Sequence, residues 1–311
     1  MFGMEFRFRY PLTLLALLWG GWMLTACQSE GGAQADPEED TAIASGQPGP
    51  SSEPGCLLVD GTATIRVNGV PVMLKAPAGK PIGDLLLLPP WDETEEAWCL
   101  RSRTCSKALK KGYRLVLPGM GKSMYCIAQY PETRPDWATA PDFAWLKDTL
   151  LPALQAEYCL LRPGHDNYVI GVGAGARGAL RLTQELPDLF IAAACLSGDY
   201  NPSLAPQDNL YRGFLGEYEE HAARWREAEN LCKGVTRIRT PLFLTHGLAD
   251  DFIPATQTEF LYNVLHEDHP SLNVQLNLRP DKGYGFAYWN TEMSEVFRFF
   301  ESTQAARPEA P

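Results

Sequence analysis

Three short segments of this chain hold residue types that could do chemistry together. The first is YVIGVGAGARGAL, Tyr168 to Leu180, an apolar run entering closely spaced glycines and then a helical stretch. Gly173, Gly175 and Gly178 satisfy G-x-G-x-x-G, the spacing with which a strand, turn and helix cradle a dinucleotide pyrophosphate. The same stretch contains GVGAG, Gly171 to Gly175, whose outer glycines have the spacing of the G-x-S-x-G turn that presents a hydrolase nucleophile. The second segment, THGLADDFIP (Thr245 to Pro254), places Asp250 in the loop after an apolar run. The third, DKGYGFAYW (Asp281 to Trp289), follows the last apolar run. The positions of a nucleophile, acid and histidine relay could be drawn from the three segments in that chain order.

The two readings of the glycine-rich turn make different demands. A dinucleotide site needs an acidic residue about twenty residues on, at the end of the next strand, to hold the ribose hydroxyls. Asp199 is the nearest candidate, but it lies beyond that point and follows CLSG, where the apolar run has already given way to a turn. The nucleophile-turn reading uses all three segments. It puts Gly173 in the nucleophile's own place.

Other reactive residue types are sparse. The histidines are His165, His221, His246, His266 and His269. His266 and His269 (HEDH) could face a metal from one side of a helix, but a surface turn before Pro270 accounts for them as well, and no metal site is expected. His246, in the loop of Asp250, reads as a hydrogen-bonding residue at a strand end. Cys195, inside IAAACL, reads as a small buried apolar residue with no identifiable base.

The elements that must position these residues follow from hydrophobic periodicity. TATIRVNGVPVMLK (Thr62 to Lys75) is two strands about Asn68-Gly69, the dipeptide suited to a tight hairpin turn. Apolar runs at Leu85–Leu88, Tyr113–Leu117, Tyr168–Val172, Phe190–Leu196, Pro241–Thr245 and Asn273–Leu278 read mostly as strands buried on both faces. Helices are expected over Phe143–Leu160, Ala176–Leu186, Glu217–Leu231, Thr256–His266 and Thr291–Ser302. An antiparallel hairpin followed by alternating strands and helices predicts a three-layer α/β domain with a mostly parallel sheet. Ligands in such sheets sit beyond the carboxyl ends of the strands, where the glycine-rich turn lies.

From Leu85 to Phe300 the chain resembles the esterases related to esterase D, S-formylglutathione hydrolase and enterochelin esterase, which are α/β-hydrolases. LPGMGKSMY (Leu117 to Tyr125) is similar to their P-x-x-G-x-S-x-Y segment, and GVGAGARGAL to their G-x-S-x-G-G-x-G-A-L turn. HGLAD resembles their acid loop and GYGFAYW their G-H-x-W-x-Y-W ending. Ser123 and Ser197 match positions that are not nucleophiles in the family. The resemblance implies an α/β-hydrolase fold, serine esterase chemistry and no cofactor. It also implies that Asp250 is a retained acid, that Gly173 replaces the serine and that Tyr284 replaces the histidine. The oxyanion donors would be the backbone N–H of Ala174 and a second from the loop holding Trp91, because Pro89 and Pro90 have no N–H to give.

Glycine has no side chain to acylate, and a phenol with a pKa of about 10 is a poor base at neutral pH. The expectation is therefore a pseudoenzyme: a binding or interaction domain with a small-molecule or protein ligand in the former cleft around Trp91, Gly173, Ala174, Asp250 and Tyr284. The alternatives are an active esterase with rearranged residues and a nucleotide-binding protein.

At the N-terminus, Arg7 and Arg9 precede an apolar run from Leu12 to Met23 that LTAC (Leu24 to Cys27) closes, the order of a secretory signal. LTAC resembles a bacterial lipobox, which implies lipidation at Cys27 and a membrane-anchored protein of the bacterial cell envelope, periplasmic or surface-facing. Residues 1–26 are then the signal, 27–55 an acidic disordered linker, 56–304 the domain and 305–311 a tail. Much of the formal charge of −11 lies in and just after that linker, since Gln28 to Ile65 holds seven acidic residues and no Lys or Arg. A negative chain without basic clusters argues against nucleic-acid binding. Seven cysteines follow Cys27, and export permits disulfides. Cys99 and Cys105 could close a short loop, but sequence does not settle the pairing.

Overall fold

The computed structural model of the chain describes residues 49–50 and 56–307. The signal segment, Cys27 and all of the acidic linker except Gly49 and Pro50 lie outside the described residues. Those two pair antiparallel with Leu57 and Leu58.

Strands β1 (Thr62–Val67) and β2 (Val70–Lys75) form the expected hairpin. Asn68 and Gly69 both take positive φ, 49° and 80°, as a two-residue turn requires. They join β3 (Gly83–Leu88), β4 (Tyr113–Pro118), β5 (Asn167–Val172), β6 (Ala192–Leu196), β7 (Leu242–Gly247) and β8 (Val274–Arg279) in one eight-stranded sheet. Its order is β8-β7-β6-β5-β3-β4-β2-β1, parallel throughout except for the β2/β4 and β1/β2 pairs. This is the α/β-hydrolase architecture that the sequence predicts.

Side-chain alternation divides the core into two layers. Leu86 and Leu88 of β3 face one layer with α3 (Leu151–Glu157), α4 (Ala174–Glu185) and α7 (Thr256–Asp268). Leu85 and Leu87 face the other, with α1 (Ala97–Arg101), α2 (Thr104–Lys111) and α8 (Phe286–Ala305). The central strands are buried on both faces. β8 is only half-buried because it forms the sheet edge.

The helices depart from the sequence expectation in three places. A π-helical turn, Trp145–Leu150, precedes α3 where one continuous helix was expected. The stretch expected as a helix over Glu217–Leu231 breaks into α6 (Tyr218–Ala223), a π-helical turn at Arg224–Ala228 and a 3-10 segment from Leu231. α8 begins at Phe286 rather than Thr291, because the buried aromatics Phe286, Tyr288 and Trp289 form its first turn. Helices α1, α2 and α5 (Asn209–Leu215) were not expected. α1 and α2 are joined by a Cys99–Cys105 disulfide, and a second, Cys56–Cys159, anchors the start of the domain.

Candidate functional site

The register of the parallel strands brings the segments that resemble catalytic motifs to one edge of the sheet. Leu88 pairs with Gly171, Val172 with Leu196, Leu196 with Thr245 and His246 with Leu278. The loops that leave β3, β5, β6, β7 and β8 therefore open on the same side. The last two are tied together by the Ala249 N–H, which donates to the Lys282 carbonyl at 2.9 Å.

The turn between β5 and α4 has the geometry of a nucleophile elbow. Gly173 sits at its apex with φ 55° and ψ −125°, a conformation that L side chains rarely adopt. A β-carbon on Gly171 would overlap the Gly175 carbonyl, and one on Gly175 would overlap the carbonyls of Leu88 and Pro89. One on Gly178 would strike the Tyr125 ring, whose hydroxyl donates to the Pro89 carbonyl at 2.9 Å. Close packing of strand, helix and loop thus accounts for all three flanking glycines. Protein atoms lie where a β-carbon on each of these glycines would point.

At Gly173 the neighbour is of another kind. A β-carbon there would overlap the Tyr284 hydroxyl oxygen and would lie 3.1 Å from Pro90 Cβ. The space that a side chain at position 173 would enter is occupied by the phenol from the final loop. Tyr284 packs edge-on against Trp289 at 4.8 Å and beside Phe252 at 5.3 Å. Burial, reinforced by the carboxylates of Asp199 and Asp250, pushes its hydroxyl well above the usual phenol range, so it is a neutral donor rather than a base.

Asp250 does not bond to Tyr284. Its Oδ1 accepts the backbone N–H groups of Phe252 and Ile253, both at 2.9 Å, and shapes its own loop. Its Oδ2 is buried 3.3 Å from His246 Nε2, but that ring nitrogen aligns with the Ile253 carbonyl at 2.9 Å, leaving Oδ2 without a hydrogen-bond partner. His246 Nδ1 meets the Thr258 hydroxyl at 2.7 Å, so both ring nitrogens are engaged in structure. His269 Nε2 is likewise directed at the Ile238 carbonyl at 2.8 Å, and His266 stacks with Tyr262. Among the described residues no group of three His, Cys, Asp or Glu side chains is placed to hold a metal.

The remaining family positions act in support. Ser123 Oγ accepts the Tyr125 N–H at 3.1 Å, and Ser197 Oγ accepts the Trp289 indole N–H at 3.0 Å, which fixes the aromatic start of α8 to the end of β6. Trp91 packs edge-on against Trp137 and Phe214 at 5.0 and 5.4 Å.

A cavity of about 390 Å³ opens beside the elbow. Its wall includes Trp91, Ala174 and Tyr284, which the sequence singles out, and Tyr211 and Phe252, which it does not. Asp199, weighed in the sequence only as a ribose ligand, also lines it. Asp250 and Gly173 are not part of this wall. Asp199 is 7 % exposed, and its Oδ1 has no hydrogen-bond partner. Burial raises its carboxyl to about 6 despite the opposing pull of Arg177. No simple sequence signal marks Asp199, because its setting depends on the register of β6 against β5 and β7.

The family model described as "Putative esterase" matches residues 117–299, more than half of the chain. The chain belongs to this esterase family of α/β-hydrolases. Solved structures agree on the fold. An S-formylglutathione hydrolase from Agrobacterium tumefaciens is 15% identical with a TM-score of 0.61, covering 78% of this chain and 93% of its own. MPT51 of Mycobacterium tuberculosis is 16% identical with a TM-score of 0.64, covering 80% and 100%. A ferulic acid esterase is 18% identical with a TM-score of 0.60, covering 78% and 97%. No curated protein matches the chain.

Proposed function

We propose that this protein is a non-catalytic member of the esterase family, a pseudoenzyme exported and anchored through a lipid on Cys27, whose domain binds a ligand in the former active-site cleft. The observation that carries the reading is the pairing of Gly173 with Tyr284. One residue lacks the atom that would be acylated, and the hydroxyl of the other lies where the β-carbon carrying that atom would have to go. Ala174, at the first turn of α4, still offers an oxyanion-type N–H. A donor without a nucleophile stabilises nothing along an acyl-transfer path.

Asp250 fits the same reading. In a working relay it would orient an imidazole; here its two described roles are to close its own loop and to lie beside His246. The alternative of nucleotide binding draws no support from the glycines, each of which already faces protein atoms. The disulfides Cys56–Cys159 and Cys99–Cys105 support export, since such bonds persist in oxidising compartments.

Purified protein should neither hydrolyse short acyl esters nor label with a fluorophosphonate. Stoichiometric labelling, mapped to one residue, would instead establish an esterase with rearranged machinery. The anchor has its own test. Wild-type protein should sediment with membranes and Cys27→Ala should be released, whereas a wholly soluble wild type would remove the anchor from the proposal.

A further inference from the structure

The cavity beside the elbow has a chemical bias. Its wall carries aromatic and aliphatic side chains, two carboxylates, Asp199 and Asp208, and no Lys or Arg. Asp208 stands exposed, with Oδ1 capping α5 by accepting the N–H groups of Leu210 and Tyr211 at 2.8 and 3.0 Å. Gln257, the one amide side chain in the lining, is already committed, accepting from the N–H groups of Tyr200 and Asn201 and donating to the Asn201 carbonyl.

Asp199 is committed to nothing comparable. The nearest fixed cation, Arg177, directs Nη1 to the Asp199 backbone carbonyl at 3.1 Å and Nη2 to Glu229, so its guanidinium does not pair with the Asp199 carboxylate. The Tyr211 hydroxyl lies near enough to favour the charged form of Asp199. Yet neither Tyr211 Oη nor Asp199 Oδ1 has a partner of hydrogen-bonding geometry. A buried acid without a counter-ion is expensive unless something pairs with it. Here it stands at the wall of a cavity whose rims are Trp91, Tyr284 and the 78 % exposed Phe252, rings able to cover an apolar group or the face of a cation.

We propose that this cavity binds a small organic cation, a primary ammonium on an aromatic or aliphatic body, with the ammonium held by Asp199 and the body against Trp91, Tyr211, Phe252 and Tyr284. The inference rests on the reading of the cleft as a ligand site and gives that ligand its charge. An anion would meet two carboxylates with no compensating cation. A neutral ligand would leave Asp199 unpaired.

The test uses the purified full-length chain and three probes of one shape: 2-phenylethylammonium, 2-phenylethanol and 2-phenylacetate, followed by calorimetry. The ammonium should bind at least about tenfold more tightly than the alcohol, as a charge-assisted hydrogen bond to a buried group implies, and phenylacetate should bind most weakly. Asp199→Asn should abolish the preference for the ammonium over the alcohol. That variant should fold, because the acid sits raised to about 6 by burial, so removing its charge above that pH should leave the melting temperature unchanged or higher. Equal binding of ammonium and alcohol, a preference that survives Asp199→Asn, or no saturable binding of the ammonium would each overturn the proposal. Equal binding would leave the non-catalytic binding reading standing, while fluorophosphonate labelling would overturn that reading without touching the charge preference, so the two can fail separately.

Discussion

A side chain at position 173 would meet two separate obstacles. The first is conformational: φ 55° with ψ −125° costs a residue bearing a β-carbon about 1–3 kcal/mol. The second is steric, because the Tyr284 hydroxyl oxygen occupies the space that the β-carbon needs. Gly173→Ser alone should therefore lower stability by more than the backbone term and gain no activity. Adding Tyr284→His removes the obstructing phenol and supplies an imidazole in the loop that Ala249 and Lys282 hold against Asp250. The buried Oδ2 of Asp250, without a hydrogen-bond partner, is a ready acceptor for that ring. The double variant should then be more stable than Gly173→Ser and should acquire slow ester hydrolysis with fluorophosphonate labelling at position 173. The two changes act on one space and one proton path, so their effects should be far from additive. Activity should stay low, since Pro89 and Pro90 have no N–H and leave only Trp91 in that loop to supply a second oxyanion donor. A folded double variant that does not label would show that the loops no longer hold triad geometry.

Among the elements, legibility in the sequence followed how local the cause was. The Asn68-Gly69 hairpin, the central strands and the elbow were readable because turn chemistry, apolar runs and glycine spacing each act within a few residues. The glycines had two readings, and only the packing of Gly175 on Leu88 and of Gly178 on Tyr125 separates them. What sequence missed depends on distant partners. Arg177 and Arg181, four residues apart on α4, have the look of a solvated helix face, yet both are buried. Arg177 Nη2 and Arg181 Nη2 lie 3.0 and 2.5 Å from Glu229 Oε2, while Tyr130 donates to the other Glu229 oxygen at 2.8 Å. That carboxylate arrives from the end of the stretch Glu217–Leu231, and docking it onto α4 accompanies the break of the expected helix at Arg224. Short helices such as α1 and α2 carry little sequence signal, because a covalent bridge and contacts with α8 stabilise them more than periodicity does. The same distance dependence hid the cavity. Asp199 and Phe252 come from separate loops, and only the order β7-β6-β5 places them on one wall.

Across the whole molecule the two disulfides differ in what they constrain. Cys56–Cys159 spans a sequence separation of 103 and ties the entrance of the domain to the segment between α3 and β5. Cys99–Cys105 spans 6 and only pins α1 to α2. Loop-closure entropy in the unfolded chain then predicts roughly 4–5 kcal/mol for the first and roughly 2 kcal/mol for the second. The other cysteines among the described residues, Cys126, Cys195 and Cys232, are buried. Burial drives Cys195 and Cys232 up to about 12 and Cys126 well above the ordinary thiol range, so none presents a reactive thiolate in the folded state. Reduction should therefore act through the two bridges alone. Denaturant titrations with and without reductant should show a large loss of stability on reduction. Paired replacement of Cys56 and Cys159 by serine should reproduce most of it, and replacement of Cys99 and Cys105 the smaller remainder. Alkylation of the Cys126, Cys195 and Cys232 thiols under native, non-reducing conditions should stay silent until the domain unfolds. Unchanged stability in the variant lacking both Cys56 and Cys159 would remove the long bridge as a support of the fold, and with it one of the physical arguments that this domain works in an oxidising compartment.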